Sequence, residues 1–217
     1  PTGINLKNFK RKTNKEEIKK IRNELDINKD TPTILYIGRL AKEKSIDLII
    51  ENMPSLLDKI PESKFLIIGD GPEKSNLQKL SKKLAIEENI IFAGEKPWKD
   101  IHKYYEIGDI FVNASTTETQ GLTFIEAMAS GLPVIARYDK NLENVIERDE
   151  NGYFFSDNND FVNIVNDLLK NDIKRKKVSE KAEIKADYFS AENFAKNIEK
   201  IYISALKEKG YIMSQTG

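Results

Sequence analysis

The sequence predicts an α/β fold organised on one parallel sheet, and three observations carry that expectation. Short apolar runs such as Thr33-Ile34-Leu35-Tyr36-Ile37 and Phe65-Leu66-Ile67-Ile68 recur along the chain. Segments with helical spacing of apolar residues separate them. Glycines close three of the runs, at Gly38, Gly69 and Gly94. A strand that is apolar along its whole length must be covered on both faces, the habit of parallel sheets with helical crossovers. Right-handed crossovers then wind the sheet both ways, a doubly wound, Rossmann-like layout.

The elements follow in order. Residues 1–12 read as an extended lead-in, and Thr13 with Glu16 makes a capping box for a helix to about Leu25. Strand 33–38 precedes helix 46–57, and strand 64–69 precedes helix 73–84. Residues 89–92 form a short strand, and 101–105 a short helix with His102 exposed on it. Strand 109–113 leads to helix 122–130, which Gly131 and Pro133 end. Strand 133–136, a helix over 142–146 and strand 153–155 follow, then helices within 159–170, 172–185 and 191–208. One domain, 13–208, accounts for all of this, with 209–217 a polar tail. Trp98 reads as a half-buried anchor.

Composition narrows the function. Hydrophobic residues at 39% and charged residues at 32% describe a globular protein with a heavily charged surface. Lys+Arg and Asp+Glu balance at 35 each, so no global field argues for nucleic acid. The absence of cysteine excludes disulfides and thiolate metal sites and suits a reducing, cytoplasmic compartment. His102 is the single histidine, which leaves neither a His-based metal site nor a Ser-His-Asp triad well founded. No apolar run has membrane-spanning length and no signal peptide is visible. The chain opens at Pro1 rather than at a methionine, which is read as a piece of a longer protein.

Ligands of such sheets bind outside the carboxyl ends of the strands, so the loops there hold the candidate site. Glu118-Thr119-Gln120-Gly121-Leu122-Thr123-Phe124-Ile125-Glu126 follows a strand and opens a helix at a glycine turn. Free amides and the helix dipole make such a turn an anion site, while the flanking carboxylates can accept hydrogen bonds from hydroxyls. The bland alternative is a loop acid and a surface helix acid. Gly38-Arg39-Leu40-Ala41-Lys42-Glu43-Lys44-Ser45 supplies two cations after a strand, with Ser45 expected to cap the next helix. Arginine can grip two phosphate oxygens and lysine adds a mobile charge. Lysines outnumber arginines 29 to 6, so an arginine at a strand end stands out. Gly69-Asp70-Gly71-Pro72 lacks the third glycine of a dinucleotide fingerprint and reads as a tight turn bordering the site. Lys96, in the loop after the third strand, can pack its stem beside a base. The basic run Lys170 to Lys177 reads as a solvated helix face, with an anionic membrane surface as the alternative.

Taken together, in this order, these residues resemble the C-terminal, donor-binding half of a GT-B retaining glycosyltransferase of family 4. Pro1 to Asn5 resembles the end of the interdomain linker, so 1–12 is assigned to that linker. Gly38-Arg39-Leu40 with Lys44 resembles the diphosphate loop, and Glu118 to Glu126 the E-x7-E signature. The resemblance implies that Arg39 and Lys44 hold the donor diphosphate and that Glu126 binds the ribose hydroxyls. Glu118 would contact the transferred sugar, while the backbone of Gln120, Gly121, Leu122 and Thr123 cradles sugar and phosphate. Ser45 stands where the family usually has glycine. Residues 114–123 and 133–139 are similar to bacterial enzymes that glucosylate 1,2-diacylglycerol from UDP-glucose. The expected function is therefore transfer of a hexose from a nucleotide sugar to a lipid, with no essential cofactor or metal. Glycan or sterol acceptors, or an epimerase-like protein, are the alternatives. The partners implied are the nucleotide sugar, a missing N-terminal acceptor-binding domain and the inner face of a membrane.

Overall fold

The computed structural model describes residues 3–209. Its centre is a six-stranded sheet of β1 (Thr33–Ile37), β2 (Lys64–Ile68), β3 (Ile90–Gly94), β4 (Ile110–Asn113), β5 (Val134–Arg137) and β6 (Gly152–Phe155). Every pairing is parallel and the order is β3-β2-β1-β4-β5-β6. The chain therefore winds outward from β1 to β3, then crosses back beside β1 and winds the other way. The reversal leaves a crevice between the ends of β1 and β4.

Alternate residues of each strand feed different cores. Ile34 and Tyr36 pack under one helical layer, while Leu35 and Ile37 pack under the other. All five residues of β1 are buried, which is why its sequence is apolar throughout rather than alternating. The first layer contains α3 (Ile46–Leu57), α4 (Lys74–Lys83) and α7 (Asn158–Lys170). The second contains α5 (Ile101–Tyr105), α6 (Leu122–Ala129) and α8 (Asp172–Asp187). The last helix, α9 (Ala191–Glu208), has no buried residue. No helix among the described residues is long and apolar enough to cross a membrane.

Several local expectations are corrected. The lead-in contains a helical turn, α1 (Lys7–Lys10), because Leu6 and Phe9 find cover and are each 2% exposed. Asn14, rather than Thr13, caps α2 (Lys15–Glu24), accepting from the Glu16 amide at 3.0 Å. Thr13 is diverted because its amide donates to Glu106 at 2.9 Å. The helix expected at 142–146 is a short 3-10 turn, Lys140–Leu142, begun when the Asp139 side chain accepts from the Asn141 amide. Trp98 is 63% exposed, touching Phe9 edge-on at 5.6 Å. His102 is half-buried rather than exposed, and its Nδ1 has no partner among the described residues.

The loops at the carboxyl rim are laced to one another. The Gly38 amide donates to the Ile68 carbonyl, the Leu40 amide to Asp70, and the Gly69 amide to Gly94. Such closeness requires glycine at position 69, where φ is +140° and a Cβ would lie 1.9 Å from the Gly38 oxygen.

Candidate functional site

A cleft of about 550 Å³ opens at the crevice between β1 and β4. Gly38, Arg39 and Lys44 line one wall, while Asn113 and the run Glu118 to Thr123 line the other. A second cleft of about 480 Å³ shares Gly38 and Arg39 and extends over Asp70, Glu95, Lys96 and Ile101. The two adjoin along Ile37-Gly38-Arg39, so a ligand lying over this rim can occupy both. Nine of the ten residues that the sequence marks as site candidates border them.

Arg39 follows β1 directly. Its side chain is exposed and makes no ion pair among the described residues. Its carbonyl accepts a hydrogen bond from the Tyr36 hydroxyl at 3.0 Å, which ties the loop back to the strand. Burial, and then the nearby carboxylates of Glu118 and Glu43, push the Tyr36 hydroxyl well up, so it stays a donor. Lys44 ends a 3-10 turn, Lys42–Lys44. Ser45 does not cap α3 with its side chain as expected; it adopts φ 48°, ψ 42°. That left-handed conformation is the one a glycine would take freely, and serine holds it at a cost of about 1–2 kcal/mol.

Lys44 Nζ lies 2.8 Å from Glu118 Oε1, bridging the cleft. Both side chains are largely shielded, at 24% and 11% exposure. Asn113 Nδ2 donates to the same Glu118 oxygen at 3.4 Å, and Lys44 also donates to Ser115 Oγ at 3.4 Å. The Glu118 carbonyl accepts from Asn141 Nδ2 at 3.0 Å, which anchors the loop to the turn after β5. Gly121, at φ 65°, ψ 32°, then starts α6. Gly121 and the first two residues of that helix, Leu122 and Thr123, line the cleft, and the first amides of a helix have no partner within it.

Glu126 stands apart. It sits one turn into α6, 7% exposed, and Tyr105 donates to its Oε2 at 2.8 Å. The cleft lining stops at Thr123. Burial raises the Glu126 carboxyl to about 7, against the smaller lowering effect of the Tyr105 hydrogen bond. Lys96 lines the second cleft with Nζ 5.3 Å from the Tyr104 ring centre.

Asn113, Asn141, Tyr36 and Tyr105 were not marked from the sequence. Asn113 left a trace, as the one polar residue ending an otherwise apolar strand. Tyr36 bonds a carbonyl only three residues on but reads as one more buried strand residue, while Asn141 and Tyr105 reach partners 23 and 21 residues away. In the basic run, Lys174 pairs with Asp167 and Arg175 with Asp172, while Ile173 is 85% exposed. Among the described residues, no three His, Cys, Asp or Glu side chains gather as metal ligands.

The profile of the family described as Glycosyl transferases group 1 matches residues 17–185, from α2 almost to the end of α8. The chain belongs to that family. Among curated group 1 relatives, an alpha-monoglucosyldiacylglycerol synthase of Acholeplasma laidlawii is 37% identical over 95% of this chain and 52% of its own. An alpha-monoglucosyldiacylglycerol synthase of Streptococcus pneumoniae is 34% identical over 95% of this chain and 46% of its own. This group 1 chain thus spans about half the length of the curated relatives it matches. The Anabaena protein HepE, solved with UDP and glucose, superposes with a TM-score of 0.82 at 22% identity over 93% of this chain and 55% of HepE. That likeness shows the fold. The C-terminal domain of a group 1 protein, LpcC of Francisella tularensis, superposes at TM-score 0.73 and 26% identity, over 85% of this chain and 97% of that one.

Proposed function

We propose that the chain is the donor-binding half of a retaining hexosyltransferase that moves glucose from UDP-glucose to a lipid such as diacylglycerol. The observation that carries this reading is the convergence of Arg39, Lys44 and Glu118 on one cleft at the sheet reversal. Arg39 and Lys44 hold the diphosphate, helped by the first amides of α6. Glu118 takes hydroxyls of the glucose and Lys96 borders the base, whereas the ribose role that the resemblance gives Glu126 requires its carboxylate to turn from Tyr105 toward the cleft. As the anomeric bond breaks, negative charge grows on the diphosphate. Fixed cations and amides stabilise that charge most in the transition state. In this arrangement two protein cations stand where other transferases place a metal ion, so added chelator should leave transfer unchanged.

The lipid acceptor falls to the other half of the protein, since the two diacylglycerol-named relatives are about twice as long as this chain. A lipid substrate places the enzyme at a membrane surface, on the cytoplasmic side where nucleotide sugars are made. The exposed lysines of the 170–177 run give that surface something to attract. Calorimetric titration of the chain with UDP, GDP and ADP tests the donor site. Silence with all three rejects the reading. Labelled UDP-glucose and diacylglycerol given to the full-length protein should yield labelled glucolipid; label on a glycan or sterol instead would reassign the acceptor.

A further inference from the structure

Four polar groups close a ring at the mouth of β4. Asn113 Nδ2 donates to Glu118 Oε1, Lys44 Nζ donates to Glu118 Oε1 and to Ser115 Oγ, and the Ser115 amide donates back to Asn113 Oδ1 at 2.9 Å. Asn113 and Ser115 are 3% and 2% exposed, so both belong to the floor rather than to the surface. Lys44 is the exception, because it is a long flexible side chain in the loop across the cleft. Under the donor reading, on which this inference rests, Lys44 serves the diphosphate and Glu118 serves the sugar. A diphosphate would compete with Glu118 for the Lys44 ammonium and weaken the pair between them.

We infer that Asn113 is a positioning residue that keeps the Glu118 carboxylate aimed at the sugar once the diphosphate draws Lys44 away. The carboxamide is suited to this. Its oxygen is fixed by the Ser115 amide, which leaves its NH₂ pointed at Glu118 as a neutral donor with no phosphate affinity. A carboxylate left with no donor in a shielded site would swing toward other cations. Ser115 takes the complementary part by holding Lys44 close to the cleft before the ligand arrives. Neither Asn113 nor Ser115 touches the reacting atoms.

The test uses the full-length protein with two variants that keep an acceptor for the Ser115 amide and lose the carboxamide donor, Asn113→Asp and Asn113→Ser. Affinities for UDP and for UDP-glucose are measured separately, together with kcat and KM for glucolipid formation. UDP affinity should stay within about two-fold of wild type, whereas UDP-glucose affinity and kcat fall about ten-fold, the scale of one hydrogen bond to a charged group. Asn113→Ser guards against misfolding caused by the added charge of Asn113→Asp. Equal losses for UDP and UDP-glucose would mark Asn113 as merely structural and overturn the assignment, as would unchanged turnover in both variants. Wild-type protein that takes up neither ligand overturns the donor reading and this assignment together.

Discussion

The hydroxyl of Tyr105 donates to Glu126 Oε2 at 2.8 Å inside the second core layer. Tyr105 is fully buried, flanked by Phe9 and Phe111, so the second acid of the signature is set by a residue on a different helix. The same burial raises the Tyr105 hydroxyl far above its ordinary value, which keeps it a donor.

Removing that donor should therefore be felt most when Glu126 is ionised. Tyr105→Phe is expected to destabilise the fold by about 1–3 kcal/mol at pH 8 and by less at pH 5. Urea unfolding at the two pH values measures it. An equal loss at both would mean that the hydroxyl does not serve the carboxylate.

A pH signature follows from Glu126 itself. Its folded-state value, about 7, lies above the ordinary 4.5, so the folded protein binds the proton more tightly than the unfolded chain. The sign is then fixed: the contribution is favourable at low pH and is lost as pH rises through that window. Wild-type stability relative to Glu126→Gln should fall by on the order of 3 kcal/mol between pH 4.5 and pH 7 and level off above. A difference between the two proteins that does not vary with pH would remove this account.

Arg39 offers the opposite case. Its side chain is exposed and makes no ion pair among the described residues, so Arg39→Ala should leave unfolding within about 0.5 kcal/mol of wild type. In the full-length protein kcat should drop roughly a hundred- to a thousand-fold, as for a lost oxyanion donor. Near-normal turnover would falsify the diphosphate role.

Gly69 tests the rim. A Cβ there would meet the Gly38 oxygen at 1.9 Å on a backbone at φ +140°. Gly69→Ala should cost about 3 kcal/mol or more and weaken UDP binding by displacing Gly38 and Arg39. A variant with normal melting temperature and normal UDP affinity would show that the rim can relax.

The periodicity and composition of the chain determined the layers, the strand sequence and the rim on which a site must lie. Uninterrupted apolar runs such as 34–37 can be buried only between two helical layers, and helix α3 was legible to its ends, Ile46 and Leu57. Motif spacing also marked nine residues that line the two clefts. Local chemistry was less legible where a distant group competed. Thr13 lost its cap role to Glu106, 93 residues away, and Leu6 and Phe9 became helical because a core was there to cover them. The Lys44–Glu118 bridge and the Tyr105–Glu126 bond belong to tertiary structure alone. The first joins loops that the sheet reversal brings together and the second joins two helices 21 residues apart, and hydrogen bonds act over about 3 Å, a distance that sequence separation does not encode.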